Sequence, residues 1–97
     1  MIINKDSNSC VLKLSDSKHP VFLAHFPSNP ILPGFLLMDI LSYIFNLRII
    51  KIKKAKFILG IYPNETITFQ LEFRSLDLKV IVKRDEKKVA EVICEYR

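Results

Sequence analysis

Residues 25–47 of this chain read HFPSNPILPGFLLMDILSYIFNL, and this stretch decides the fold. Its second part, Phe35 to Leu47, contains no proline or glycine and is apolar at almost every position, which predicts a buried helix. Three prolines, Pro27, Pro30 and Pro33, precede it. Each fixes its own φ near about −65° and disfavours helical conformations in the residue before it. A stiff loop followed by one apolar helix is therefore expected.

The sequence after the helix predicts four strands. Ile50 to Leu59 forms the first, and GIYPNE turns the chain. In residues 65–74, ETITFQLEFR, apolar and polar residues alternate, as expected of a strand with one buried face. Leu76 to Val82 continues this period, and RDEK predicts a hairpin turn. The last strand has its inward face at Ala90, Val92, Cys94 and Tyr96.

Two short strands are predicted before the helix, at residues 10–15 and 20–26, with the turn-forming DSKH between them. The order is therefore two strands, one helix and four strands. Antiparallel strands with one apolar face must bury that face, and the only element long enough to cover it is the helix. We expect an α+β fold in which a curved antiparallel sheet wraps round one central apolar helix. No repeat or linker interrupts residues 1–97, which predicts a single domain.

Length and hydropathy bear on assembly and location. A chain of 97 residues with 49% hydrophobic residues leaves much apolar surface only partly covered, which favours association with a second copy. The longest apolar run is broken by Pro33, Gly34, Asp39 and Ser42, whereas a membrane span needs about 20 apolar residues. The first ten residues, MIINKDSNSC, lack the features of a secretory signal. We therefore expect a cytoplasmic protein without membrane insertion.

The chain carries a net charge of +5, which favours an acidic partner such as a nucleic acid or an acidic carrier protein. Its densest basic run is KIKKAK, residues 51–56. No arginine or aromatic residue is interleaved there to contact or stack on bases, so a solvated strand face is expected. Cys10 and Cys94 belong to no Cys/His cluster, which predicts two buried thiols rather than a metal site or a disulfide.

His25, Gly34 and Asp39 are the residues that could carry chemistry. His25 ends a predicted strand, and Asp39 lies about one turn into the helix, on a polar stripe with Ser42 and Asn46. Gly34 stands at the helix entrance, where backbone amides lack intrahelical acceptors and the dipole favours negative charge. A base, an acid and an oxyanion-binding amide would then converge, which suits proton abstraction beside a carbonyl. Taken one at a time, such a histidine is more often structural, such an aspartate is more often solvated, and prolines before a helix often only mark its start. The order and spacing of the three features favour the catalytic interpretation.

The pattern HFP at 25–27, Pro30, PG at 33–34 and Asp39 resembles the signature of the 3-hydroxyacyl-acyl carrier protein dehydratases, which are hot-dog fold enzymes. In that signature H-F-P-x-x-P-x-x-P-G is followed, five residues after the glycine, by Glu or Asp. The Asp version is similar to the dehydratase-isomerase branch and to the small dehydratases of aryl polyene clusters. The resemblance covers roughly residues 20–73 and is specific over residues 24–39.

The resemblance implies a hot-dog domain and a role for each matching residue. His25 would remove the α proton of a 3-hydroxyacyl thioester, the Gly34 amide would polarise the carbonyl, and Asp39 would protonate or position the departing hydroxyl. No cofactor or metal is implied. Phe26, Phe35 and Tyr43 are candidate pocket residues. In the family the histidine and the acid of one site come from different subunits, which implies a homodimer and an acyl carrier protein as partner.

Two positions depart from the family pattern. Ala24 replaces the usual glycine before the histidine, and Tyr43 replaces a common glutamine one turn after the acid. The Tyr43 hydroxyl can hydrogen-bond in the site, or its ring can narrow it. Two alternative functions stay open at this point: a thioesterase on the same fold, and a non-catalytic subunit that binds an acylated carrier. Nucleic-acid binding is a more distant alternative.

Overall fold

The structure is a computed structural model that describes residues 2–14, 32 and 34–97. These residues contain six strands and one helix: β1 (Ile2–Lys5), β2 (Ser9–Lys13), α1 (Gly34–Phe45), β3 (Ile49–Phe57), β4 (Thr66–Arg74), β5 (Asp77–Arg84) and β6 (Lys87–Tyr96). The strands form one antiparallel sheet in the order β1-β2-β4-β5-β6-β3. The expected combination of one antiparallel sheet with one helix is confirmed.

The core lies between α1 and one face of the sheet. The helix contributes Leu37, Met38 and Leu41, all of which are buried. The sheet contributes the alternate residues that the period of two predicted: Ile67, Phe69, Leu71, Leu78, Val80, Val82, Ala90, Val92 and Cys94. Phe73 and Tyr96 lie at the margin of this face, where their rings meet edge to face with centroids 5.4 Å apart. Strand alternation therefore assigned most of the buried face correctly. It was wrong at Leu76, which lies in the β4–β5 turn and is 75% exposed, and it missed Val89, which is fully buried next to Ala90.

The N-terminal strand β1 was not predicted. All four of its residues are exposed, so no alternation marks it as a strand in the sequence. It pairs with β2 through a turn in which the Asn8 amide donates to Asp6 Oδ1 at 3.0 Å. β2 covers residues 9–13 rather than the predicted 10–15. The strand predicted at residues 20–26 lies outside the described residues.

The helix begins one residue earlier and ends two residues earlier than predicted. Asn46 has a φ of 52°, and the Leu47 amide donates to the Ser42 carbonyl at 3.0 Å. These two features form a Schellman motif, in which a left-handed residue stops the helix and satisfies one of its last carbonyls. The Lys5 ammonium lies 5.2 Å from the centre of the Phe45 ring, so β1 covers this end of the helix. With 12 residues, α1 is too short to cross a bilayer, and no other helix in the described ranges could cross one.

Strand β3 lies at one edge of the described sheet, and its register with β6 shifts twice, between Ile49 and Lys51 and again between Ile52 and Lys54. Each shift inserts an extra residue, which is why the apolar residues of β3 do not follow a period of two. The residues opposite the inward face of β6 are Ile49, Ile52, Ala55 and Phe57. Those opposite its outward face are Lys51, Lys54 and Lys56. The basic run is therefore a solvated strand face, as expected.

Two predicted turns are present. Between β5 and β6, Asp85 and Glu86 have φ values of 51° and 64°, the arrangement of a two-residue type I′ hairpin. Between β3 and β4, Pro63 precedes Asn64, whose φ is 65°, and the Glu65 amide donates to the Tyr62 carbonyl. Proline followed by a residue of positive φ is typical of a type II turn.

Both thiols are buried and free, as the sequence predicted. Burial raises the pKa of the Cys10 thiol and, with a smaller contribution from the nearby charge of Asp77, the pKa of the Cys94 thiol. The Cys94 Sγ lies 3.7 Å from the Leu78 carbonyl oxygen, to which it donates. These thiols therefore act as small apolar core residues.

Candidate active site

The structure describes some of the predicted site residues and not others. Gly34, Phe35, Asp39 and Tyr43 all lie on α1. The remaining predictions lie outside the described residues: His25, Phe26, Pro27, Pro30 and Pro33. The position of the proposed base relative to the helix therefore stays a prediction.

Gly34 is the first residue of α1, as the proposed role of its amide requires. The ring of Phe57 lies directly over it. A Cβ at position 34 would stand 2.5 Å from Phe57 Cζ and 2.8 Å from both Cε atoms, well inside contact distance. The φ of Gly34 is not positive, so the close approach of this ring, and not the backbone conformation, is what favours glycine here.

A groove of about 340 Å³ opens beside this helix start, and we call it the amide groove. One side is formed by Leu32, Gly34 and Leu37, and the other by residues 57–61 at the end of β3 and in the following loop. The Leu32 amide donates to the Ile61 carbonyl at 2.8 Å, which joins the two sides. Its walls are apolar side chains together with the backbone of two glycines.

A second groove, of about 420 Å³, lies between α1 and the first half of β3. We call it the acid groove because Asp39 lines it, together with Phe35, Met38 and Ser42 of the same helix and residues 49–52 of β3. Asp39 is exposed here, and no cation of the described residues pairs with it. The Ser42 hydroxyl donates to the Met38 carbonyl at 2.9 Å, so it is occupied within the helix. Asp39 and Ser42 of the predicted polar stripe both line this groove, whereas Asn46, its third predicted member, lies beyond the end of α1 with a positive φ.

Gly34 and Asp39 therefore line different grooves of one chain. They are five positions apart on α1, which corresponds to about 140° around the helix and about 7.5 Å along it. For an amide and an acid to act together in either groove, the missing group must come from outside the described residues of this chain. Within the described residues, one chain supplies an amide in one place and an acid in another.

The two predicted pocket residues of α1 differ in position. Phe35 lines the acid groove and is 61% exposed. Tyr43 lines neither groove and is 89% exposed. The roles proposed for the Tyr43 hydroxyl and ring stay predictions, since the side chain is almost fully exposed in a single chain.

Sequence reasoning missed the β3–β4 loop as part of the site. Its residues form one wall of the amide groove, and Phe57 covers Gly34. Pro63 and Asn64 mark a turn in the sequence, but neither reveals which element the loop contacts. Among the described residues, no cluster of three or more metal-ligating side chains occurs.

Comparison with known protein families gives a match over nearly the whole chain. The family model for ApeI-like proteins, described as ApeI dehydratase, matches residues 3–93. Curated relatives are 3-hydroxyacyl-[acyl-carrier-protein] dehydratases FabZ. The one from Caldanaerobacter subterraneus is 24% identical over 95 residues, covering 84% of this chain and 67% of the relative. The one from a Thermoanaerobacter species is 30% identical over 93 residues, covering 96% of this chain and 60% of the relative. The aligned part of the chain thus spans about two thirds or less of the length of these relatives.

A solved structure has the same fold. The dehydratase heterocomplex ApeI:P from Xenorhabdus doucetiae contains a chain that superposes with a TM-score of 0.78 at 17% identity, covering 99% of this chain and 96% of that one. The hot-dog fold expected from the sequence is confirmed by this likeness.

Proposed function

The chain belongs to the family of ApeI-like dehydratases, and from that premise we propose that it is a lyase acting on 3-hydroxyacyl thioesters of acyl carrier protein. The product is the trans-2-enoyl thioester, in fatty-acid or polyene-type lipid synthesis. The observation that carries this proposal is the family match across residues 3–93, a range that contains His25, the three prolines 27, 30 and 33, Gly34 and Asp39 of the signature. FabZ-named relatives support the same substrate class.

The proposed reaction breaks two bonds and forms one double bond. His25 takes the α proton, and the electron pair of that C–H bond moves towards the thioester carbonyl, where the Gly34 amide stabilises the developing negative charge. As the C=C bond forms, the β C–O bond breaks, and Asp39 supplies the proton with which the hydroxyl leaves as water. Support comes from the place of Gly34 at the start of α1 and from the exposed Asp39 in its groove, with which no cation of the described residues forms an ion pair.

We propose that a second copy completes each site, because Gly34 and Asp39 line different grooves in one chain. α1 and β3 carry exposed apolar side chains in and beyond the acid groove, namely Phe35, Tyr43, Ile50, Ile52 and Phe57. β3 is also an edge strand with unpaired backbone groups among the described residues, a template for pairing with another β3. Two copies related by a twofold axis would bury this face. The ApeI:P assembly is a heterocomplex, so a related but different hot-dog subunit is the alternative occupant.

The same arrangement suggests a short acyl group and a docking side for the carrier. The amide groove, at about 340 Å³, lies at the lower end of the roughly 300–1,000 Å³ of small-molecule sites. Lys51 lines the acid groove, and Lys54 and Lys56 continue along the outward face of β3. An acidic carrier would be attracted to this row. The cytoplasmic location expected from the sequence remains a prediction.

The test is mass spectrometry of a short 3-hydroxyacyl-carrier protein incubated with the purified protein. We expect the acyl-carrier to lose one water, and we expect His25→Ala and Asp39→Asn each to abolish that change. Asp85→Asn is the matched control, because Asp85 lies in the exposed β5–β6 turn, where asparagine also tolerates a positive φ.

Other mass changes decide between the remaining functions. Loss of the whole acyl group, including from a saturated acyl-carrier, would mean a thioesterase. Unchanged mass together with retained binding of the acylated carrier would mean a non-catalytic subunit. A steep salt dependence of affinity for DNA or RNA would instead indicate nucleic-acid binding.

A further inference from the structure

Arg84, at the end of β5, holds the loop that forms one wall of the amide groove. Its Nη1 donates to the Gly60 carbonyl at 2.8 Å and to Glu65 Oε1 at 2.9 Å, and it lies 2.7 Å from Glu65 Oε2. The two side chains are only 23% and 24% exposed. One guanidinium thus connects the first and last residues of the segment 60–65, and charge-assisted bonds of this kind are stronger than neutral ones.

Glu65 is itself hydrogen-bonded within the loop. Its Oε1 accepts a hydrogen bond from the Tyr62 amide, and its own amide donates to the Tyr62 carbonyl across the Pro63–Asn64 turn. The Glu65 carbonyl also accepts from the Leu14 amide at 2.9 Å, at the end of β2. Residues 60–65 are therefore fixed from β5 and from β2, and Ile61 lies inside this fixed segment.

Ile61 joins this loop to Leu32, which precedes the helix in the chain. Its carbonyl accepts the Leu32 amide at 2.8 Å, and both side chains are buried, at 4% and 6% exposure. In the sequence Leu32 stands between Pro30 and Pro33, and proline has no backbone N–H. Residues 31 and 32 are thus the only backbone donors between these prolines. The Leu32 bond is the described backbone bond that joins this segment to the rest of the fold.

We propose that Arg84 and Glu65 are positioning residues of the catalytic site: they fix the β3–β4 loop so that Ile61 anchors Leu32 and thereby places the Gly34 amide two residues later. The catalytic part of this inference rests on the proposed function of Gly34. The anchoring part rests only on the chain of hydrogen bonds from Arg84 to Leu32.

A second ion pair provides a matched control. Lys79 Nζ lies 3.1 Å from Glu91 Oε1, with side chains 24% and 21% exposed, which nearly equals the exposure of Arg84 and Glu65. Lys79 and Glu91 lie on β5 and β6, two strands that are already joined by backbone hydrogen bonds. Loss of this pair removes a similar ionic contact without releasing any loop.

The anchoring is tested by amide hydrogen exchange of the folded protein, without substrate. We expect the Leu32 amide to exchange about tenfold or more faster in Arg84→Met than in the wild type, relative to the amides of β5 in the same sample. In Lys79→Met this ratio should stay within about twofold of the wild type. Arg84→Lys, which keeps the charge, should restore part of the protection. An unchanged Leu32 ratio in Arg84→Met would overturn the proposal.

The catalytic consequence is measured as kcat and KM over a range of acyl-carrier concentrations that reaches saturation. We expect kcat to fall in Arg84→Met and in Glu65→Gln by a larger factor than KM rises, because the loop places the Gly34 amide and forms only one wall of the amide groove, while both constants of Lys79→Met stay near the wild type. Glu65→Gln keeps an acceptor for Tyr62 and so gives a second variant if Arg84→Met does not fold. An inactive wild type would refute the dehydratase function and leave the exchange result standing. A normal kcat together with fast Leu32 exchange would overturn the positioning role.

Discussion

Replacing Gly34 by alanine tests why glycine stands at the start of the helix. The new Cβ would lie 2.5 Å from Phe57 Cζ, whereas carbon atoms in contact prefer about 3.5–4.0 Å, so the ring must move by at least about 1 Å. The ring is 51% exposed and can swing into solvent. The cost is then bounded by the lost burial of half a phenylalanine, about 1–1.5 kcal/mol from the usual 1.5–3 kcal/mol for the whole side chain.

The helix offsets part of that cost. Alanine is better than glycine in a helix by up to about 1 kcal/mol, so Gly34→Ala alone should destabilise by only about 0–1 kcal/mol. Phe57→Ala alone should lose about 1–1.5 kcal/mol, the burial of the same half ring. The double variant has no ring left to displace. It should therefore be about 1 kcal/mol more stable than the sum of the single effects, because the same burial cannot be lost twice.

The assay is urea unfolding of the four proteins at one protein concentration, since Phe57 also lies on the proposed dimer face. Additive effects, with a coupling smaller than about 0.3 kcal/mol, would refute a steric role for Phe57 over Gly34. Alanine keeps the backbone N–H of residue 34. Because the ring rather than the helix start takes up the clash, we expect kcat/KM of Gly34→Ala to stay near that of the wild type.

Two other results should follow from the fold. Ile52→Asp should convert the proposed dimer to monomer in sedimentation, because it places a charge on the proposed interface. Ile3→Asp is the control: Ile3 is 56% exposed against 47% for Ile52 and lies on the opposite edge of the described sheet, so its charge should leave the assembly unchanged. A dimeric Ile52→Asp protein would rule this face out. Burial raises the pKa of the Cys10 and Cys94 thiols above that of the unfolded chain, so their contribution to stability is complete below about pH 8.5 and is lost as the pH rises through the folded pKa. The free energy of unfolding should thus fall at alkaline pH and fall less in Cys94→Ala; an equal slope in both proteins would contradict it.

Much of the fold is predictable from residues 34–96 taken alone. Strict alternation identifies the buried faces of β4, β5 and β6, and the dipeptides Pro63–Asn64 and Asp85–Glu86 mark turns whose positive φ values the structure contains. These features are local, because side-chain direction alternates along any strand and turn geometry depends on a few residues. The signature from His25 to Asp39 identified the family for the same reason, since its order and spacing are a property of the chain.

The sequence by itself determined the sheet faces, the apolar helix, the turns and the family of this protein. Only the tertiary structure decided the register of β3, whose two bulges depend on the partner strand β6, and the pairing of the exposed strand β1. It also decided that Phe57 covers Gly34, that Arg84 reaches Glu65, and that Gly34 and Asp39 line separate grooves. These features join residues that are distant in the chain, or separated around a helix, and no local period or spacing encodes which of them meet.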